Sequence, residues 1–270
     1  MPLVMGILNV TPDSFYAESR QKNEAEVRCR AERIVAEGGR IIDLGGFSTR
    51  PDAEEVSEEV EWKRLEPALK ILADDFPHIP VSVDTFRAEI ARRAVTDYGA
   101  AIINDISGGT MDDRMFATVA ELGVPYILTH ITGTPKTMQQ NCNYDNIVED
   151  ILMYLVSRVN MLHNIGVNDV IVDPGFGFGK TLDQNYELMS RLNELSILAK
   201  QPLLVGISRK SMIYNLLGVT SEESLAGTIA LNTFALLKGA DILRVHDVRA
   251  AVDTVKIVNK LKNLSYVDNL

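Results

Sequence analysis

Short apolar runs alternate with longer amphipathic segments along the whole chain. The runs cover residues 3–8, 40–42, 81–83, 101–103, 125–128, 170–172, 203–206 and 242–243, and each predicts a strand. The intervening segments predict helices over 23–37, 57–75, 86–98, 112–122, 146–165, 181–198, 224–238 and 248–261. In the second of these, Val60, Leu65, Leu69 and Leu72 fall on one face, Ser57 stands at the N-cap, and Glu58 and Glu59 sit where the helix dipole favours acids. Glycines at 38–39, 99, 123, 166 and 239 end helices, because glycine fits the left-handed closing position.

Strict alternation of strand and helix predicts a parallel sheet, and eight repeats predict a (β/α)₈ barrel. The chain has 270 residues, close to the roughly 250 of a typical barrel, and no shift in composition marks a second domain. A single barrel domain over residues 1–270 is therefore expected. Each strand is followed by a polar tip: Asn9, Asp43, Asp84, Asn104, His130, Asp173, the Ser208-Arg209-Lys210 triplet, and Arg244 with His246. The C-terminal rim of a barrel gathers such residues into one site. The longest strand-to-helix loops, 11–22, 47–56 and 133–144, lie on the same rim as candidate covers.

A net charge of −10 argues against general nucleic-acid binding, though a local basic cluster still suits an anion. Cys29 and Cys142 lie far apart without metal-type spacing and read as reduced thiols. The N-terminus lacks a basic leader, and no run approaches the ~18 apolar residues of a membrane span. A cytoplasmic protein without membrane partners is expected.

Asp43, Asp84, Asp173 and Asn104 would converge on the barrel mouth. One such residue is readily explained as a cap for the next helix. Three carboxylates together with Asn9 and Asn104 call for a ligand: a flat heterocycle rich in N–H donors, or a metal. Arg209 and Lys210 after the seventh strand, Arg244 and His246 alternating on the eighth, and Arg50 in the second loop form a cationic group where barrels often hold phosphate. The Asn9 amide oxygen suits Mg²⁺, a hard cation that accompanies phosphate oxygens. His130 reads as structural, and His78 and His163 as solvent-facing. The GFGFGKT run at 175–181 misses the nucleotide phosphate loop, because Pro174 stands where the first glycine belongs. Its Gly-Phe alternation instead suggests backbone approaching a flat ligand, with a phenyl ring lining the pocket.

The motifs GILNVTPDSF, GGFSTRP, VSVDT, NDISGG, THITGTPKTMQ, DPGFGFGKT, LLVGISRKS and ILRVHDV occur in this order on these elements. Together they closely resemble the dihydropteroate synthase family of pterin-binding barrels. The resemblance implies condensation of 6-hydroxymethyl-7,8-dihydropterin diphosphate with 4-aminobenzoate, Mg²⁺ as cofactor, and a homodimer. It implies that Asp43, Asp84, Asn104, Asp173, Phe178 and Lys210 hold the pterin, and that Asn9 carries Mg²⁺ on the diphosphate. Thr49, Arg50, Arg244 and His246 would take the diphosphate. Phe15, Ser48, Pro51, Phe178 and Ser211 would frame the aminobenzoate. Of these, Asp84, Asp173, Lys210, Arg244 and His246 would carry catalysis.

The chain departs from the usual family wording at Phe47, where Glu is common, at Asp52, where Gly is common, and at Ala17, where relatives place an Asp that helps close the metal site. It departs again at Thr129 and Ile131, which replace two methionines. Two alternatives share the acidic pocket: a pterin-dependent methyltransferase barrel and a catalytically silent pterin binder. The methyltransferase has no use for the Ser48–Pro51 and Ser208–Ser211 segments, the silent binder should have lost Arg50, Lys210, Arg244 and His246, and diphosphate release separates both from the synthase.

Overall fold

The computed structural model describes residues 1–11, 20–47, 56–140 and 142–265. All eight strands are parallel members of one sheet: β1 (Leu3–Asn9), β2 (Ile41–Gly45), β3 (Val81–Asp84), β4 (Ile102–Asp105), β5 (Tyr126–Thr129), β6 (Val170–Asp173), β7 (Leu204–Val205) and β8 (Ile242–Val245). Sheet order runs β6-β5-β4-β3-β2-β1-β8-β7. A bridge from Val172 to Leu203, with the Val172 N–H donating to Pro202 O at 2.9 Å, joins β6 to β7 and closes the ring. The expected (β/α)₈ barrel is the fold.

The helices of the outer ring are α1 (Arg20–Ala36), α2 (Glu58–Asp75), α3 (Ala88–Tyr98), α4 (Met115–Leu122), α5 (Ile147–Asn164), α6 (Leu182–Ser190), α7 (Leu192–Ala199), α8 (Ser211–Leu217), α9 (Leu225–Leu237) and α10 (Val248–Ser265). Ser57 caps α2 as expected, its Oγ accepting from the Val60 N–H at 3.3 Å. Two helices depart from the sequence expectation. The segment 181–198 is broken at Arg191, which leaves helical geometry and whose guanidinium bonds Glu194 and Asn146. The segment after β7 contains α8, too short for periodicity to reveal, closed by Gly218 at φ 66°.

Side chains alternate across each strand, so one face of the ring points into the barrel. Its lower layer is an aliphatic plug of Met5, Ile41, Ile102, Ile127, Leu204 and Ile242. Two residues further along the same strands stand Asp43, Asn104, Thr129, Gly206 and Arg244, with Asp173 two beyond Ile171. The interior thus changes from hydrocarbon to charge in one step toward the rim. The opposite faces, including Val4, Leu44, Val83, Ile103, Leu128 and Val205, pack against the helices in the main core.

Candidate active site

The polar layer is centred on Asp43. Asp43 is fully buried, lies inside β2 and is not at its tip, because partners satisfy it there: Ser82 Oγ donates at 2.7 Å, Asn104 Nδ2 at 3.2 Å and Arg244 Nε at 2.6 Å. Arg244 also donates from Nη2 to Asp84 Oδ2 at 2.6 Å, so one guanidinium spans two carboxylates in a charge-assisted pair of bonds. Asp84 sits beside Asn104 in the ladder. Burial pushes its carboxyl up to about 7 against the pull of Arg244, and Asp43 and Asp105 add to the rise. Asp173 accepts the Gly175 N–H at 2.8 Å, and burial raises its carboxyl while Lys210 opposes.

Lys210 closes the group from the β7 side. Its ammonium donates to Phe176 O at 2.6 Å and lies 4.4 Å from the Phe178 ring centroid. Burial lowers it to about 8, with Asp173 pulling the other way. Gly206 leaves a gap between these charges: a Cβ there would stand 3.8 Å from Arg244 Cδ and 3.9 Å from Asp173 Oδ2. Asn9 is exposed at the end of β1, its Oδ1 reaching to 3.0 Å from where a Cβ on Gly45 would be. His246 is exposed at the end of β8, with Nδ1 3.2 Å from Ser208 Oγ. Ser211 is exposed at the start of α8.

Asp43, Asp84, Asn104, Asp173, Lys210 and Arg244 are therefore brought together, with Phe178 against Lys210 and Asn9 and His246 on the rim. Phe15, Ser48, Thr49, Arg50 and Pro51 lie outside the described residues, as do Ala17 and Asp52. Arg209 does not join the cationic group. At φ 55° it turns away to form a two-point ion pair with Asp247 at 2.8 and 2.9 Å and to bond the carbonyls of Ser221 and Glu222. Phe47 packs edge-on to Phe86 at 5.4 Å, with Arg87 over both rings and paired with buried Glu61. His78 and His163 are exposed as expected.

Sequence reasoning missed Asp105 and Lys180. Asp105 follows Asn104 and so points out of the barrel, where it accepts from the Ser107 and Gly109 N–H groups and from Tyr126 Oη at 2.6 Å. Lys180 is buried, with Nζ 2.8 Å from Gly175 O, 3.0 Å from Phe178 O and 3.0 Å from His130 Nδ1. Burial and Lys180 together hold His130 down to about 2, so it is a neutral acceptor, in keeping with a structural role. The alternation at 175–179 serves packing within the protein. Gly175 and Gly179 have φ +69° and +64°, and a Cβ on them would lie 1.9 Å from His130 O and 1.8 Å from Thr132 Oγ1. Gly175 and Gly179 let this loop pack on the segment after β5. Phe176 is in the core, and only Phe178 reaches the mouth.

Among the described residues no cluster of three His, Cys, Asp or Glu side chains is placed to hold a metal, and no helix is long and apolar enough to cross a membrane.

Comparison with known proteins agrees with this geometry. The pterin binding enzyme family matches residues 5–246. Dihydropteroate synthase of Escherichia coli is 42% identical over 259 residues, covering 95% of this chain and 90% of that one. The Clostridium difficile dihydropteroate synthase, solved in the presence of pteroic acid, superposes with a TM-score of 0.90 at 36% identity and 96% coverage of both chains. The Yersinia pestis enzyme, solved with a sulfonamide drug complex, gives 0.89 at 39% identity, covering 97% of this chain and 94% of that one. With a match across the barrel at these identities, the chain belongs to the dihydropteroate synthase family of pterin-binding enzymes.

Proposed function

We propose that this protein joins 6-hydroxymethyl-7,8-dihydropterin diphosphate to 4-aminobenzoate, forming 7,8-dihydropteroate and releasing diphosphate. The observation that carries this reading is the single mouth in which Asp43, Asp84, Asn104 and Asp173 meet Arg244 and Lys210. Carboxylates and an amide suit the donor-rich edge of a pterin, and the cations suit the diphosphate. The pteroic acid and sulfonamide complexes of the relatives support the same substrate classes.

Loss of diphosphate leaves positive charge on the dihydropterin methylene. Asp84 and Asp173, fixed before the reaction, stabilise that charge. The attacking arylamine is neutral near pH 7, so no general base is needed. In the free protein Arg244 is occupied by Asp43 and Asp84. Pterin N–H groups arriving at these carboxylates replace the guanidinium and free it for the diphosphate, alongside His246, Thr49 and Arg50. Pterin therefore binds first. Tight aminobenzoate binding to protein lacking both pterin and diphosphate would contradict this order.

Asn9 offers one hard, neutral oxygen at the rim. That fits Mg²⁺ arriving on the diphosphate with most of its waters, and not an all-protein cage. When bound, Mg²⁺ neutralises the departing anion. Phe15, Ser48, Pro51, Phe178 and Ser211 frame the arylamine, where sulfonamides compete with it. Exposed Phe234 and Leu237 on α9 and Ile257 on α10, two helices packed together, offer a face for a second copy and so a homodimer. The free thiols Cys29 and Cys142 are consistent with a cytoplasmic setting. The test is a coupled diphosphate-release assay with and without Mg²⁺. Aminobenzoate-dependent release supports the synthase, and pterin binding without release moves the assignment to a silent binder or a methyltransferase.

A further inference from the structure

A backbone segment beside the site is held almost entirely by side chains. Five consecutive carbonyls, from residue 175 to residue 179, each accept a side-chain donor. Gly175 O and Phe178 O take Lys180 Nζ, Phe176 O takes Lys210 Nζ, Gly177 O takes Gln139 Nε2 at 3.0 Å, and Gly179 O takes Tyr144 Oη at 2.8 Å. A loop with no ladder must satisfy its carbonyls somehow, but two of these five bonds come from one buried ammonium that no step of the proposed reaction uses. Removing a buried lysine from such a place and leaving hydrocarbon would ordinarily cost little. Here it leaves Phe178 O and His130 Nδ1 without their donor, and Gly175 O with the Phe178 N–H alone at 3.0 Å.

We infer that Lys180 is a positioning residue that acts through Lys210. Its ammonium pins the carbonyls on both sides of Phe176 and so fixes the height of Phe176 O and of the Phe178 ring. Those two groups are what hold the Lys210 ammonium at the mouth: the first by a 2.6 Å hydrogen bond, the second by ring contact at 4.4 Å. Lys180 itself faces away from the mouth, toward His130, whose ring is braced edge-on by Tyr154 at 4.7 Å. The inference rests on the proposed pterin site, because Lys210 is assigned to the pterin there.

A thermodynamic cycle tests it. Binding of 6-hydroxymethylpterin, which lacks the diphosphate, is measured by titration calorimetry for the wild type, K180M, K210M and the double variant. K180M is expected to weaken binding about tenfold in the wild-type background and less than about twofold in K210M, since a residue acting through Lys210 has nothing left to position. Equal losses in both backgrounds would make Lys180 merely structural and overturn the inference. Lys180→Gln, whose amide N–H can still donate to one of the two carbonyls, provides the milder variant if K180M does not fold. Its smaller loss must likewise vanish in K210M, and persistence there overturns the inference. Failure of the wild type itself to bind the pterin would instead remove the pterin reading on which the inference stands.

Discussion

Replacing Arg244 with methionine keeps most of the aliphatic volume and deletes the charge. Two carboxylates then lose a guanidinium held at 2.6 Å from each, and Asp43 is left fully buried with only Ser82 and Asn104 as partners. At an effective dielectric near 20, each pair is worth on the order of 4 kcal/mol. Part of that is offset because the arginine no longer has to be desolvated, and the net loss on breaking such a buried network is about 3–5 kcal/mol. The loss depends on pH with a definite sign. Asp84 already has its carboxyl raised from 3.8 to about 7, and without Arg244 it rises further. A carboxyl raised in the folded state contributes stability that is complete below its unfolded value and is lost as pH rises through its folded value. The deficit of R244M is therefore greatest near pH 8 and shrinks as pH falls toward 5. Urea unfolding at both pH values, followed by the single tryptophan, Trp62, buried in α2, measures it. Adding Asp43→Asn to R244M should recover part of the loss at pH 8, because it removes one of the stranded charges. A variant as stable as the wild type at pH 8, or a deficit that grows on acidification, would refute the account of the polar layer as a charge network.

Asp84→Asn should separate catalysis from folding: stability at pH 8 is kept or raised, since burial already disfavours the ionised form, while turnover falls about 10²–10³-fold, as read by diphosphate release and urea unfolding. Thr129 Oγ1 is buried without a hydrogen-bond partner, so Thr129→Val should stabilise the protein by about 1–3 kcal/mol in the same unfolding assay. Gly175→Ala forces a methyl to within 1.9 Å of His130 O at a φ of +69°, and should cost at least about 1–3 kcal/mol together with pterin binding, seen by unfolding and calorimetry. Leu237→Asp on α9, at a residue 54% exposed, should convert the proposed dimer to monomers in analytical ultracentrifugation without altering the helix content, and a wild type that sediments as a monomer would refute that face.

Strand and helix order was legible in the chain because burial imposes short apolar runs on barrel strands and a longer period on the surrounding helices. The strand-end carboxylates were legible for the same reason: a charge directly after an apolar run needs an explanation, and the rim of a barrel gives one. Alternation along β4 even separates Asn104, which faces the interior, from its neighbour Asp105, which caps an outer turn. What the chain could not reveal depends on contacts between distant residues. Arg209 and Arg244 look alike in sequence, but only the fold places Asp247 beside the first and Asp43 with Asp84 beside the second. Lys180 looked like the end of a glycine-rich motif until its ammonium was seen among two carbonyls and a neutral histidine. A side chain's type and strand position follow from local periodicity. Its partner, and therefore its charge state and its role, follows from which strands the closed barrel brings side by side.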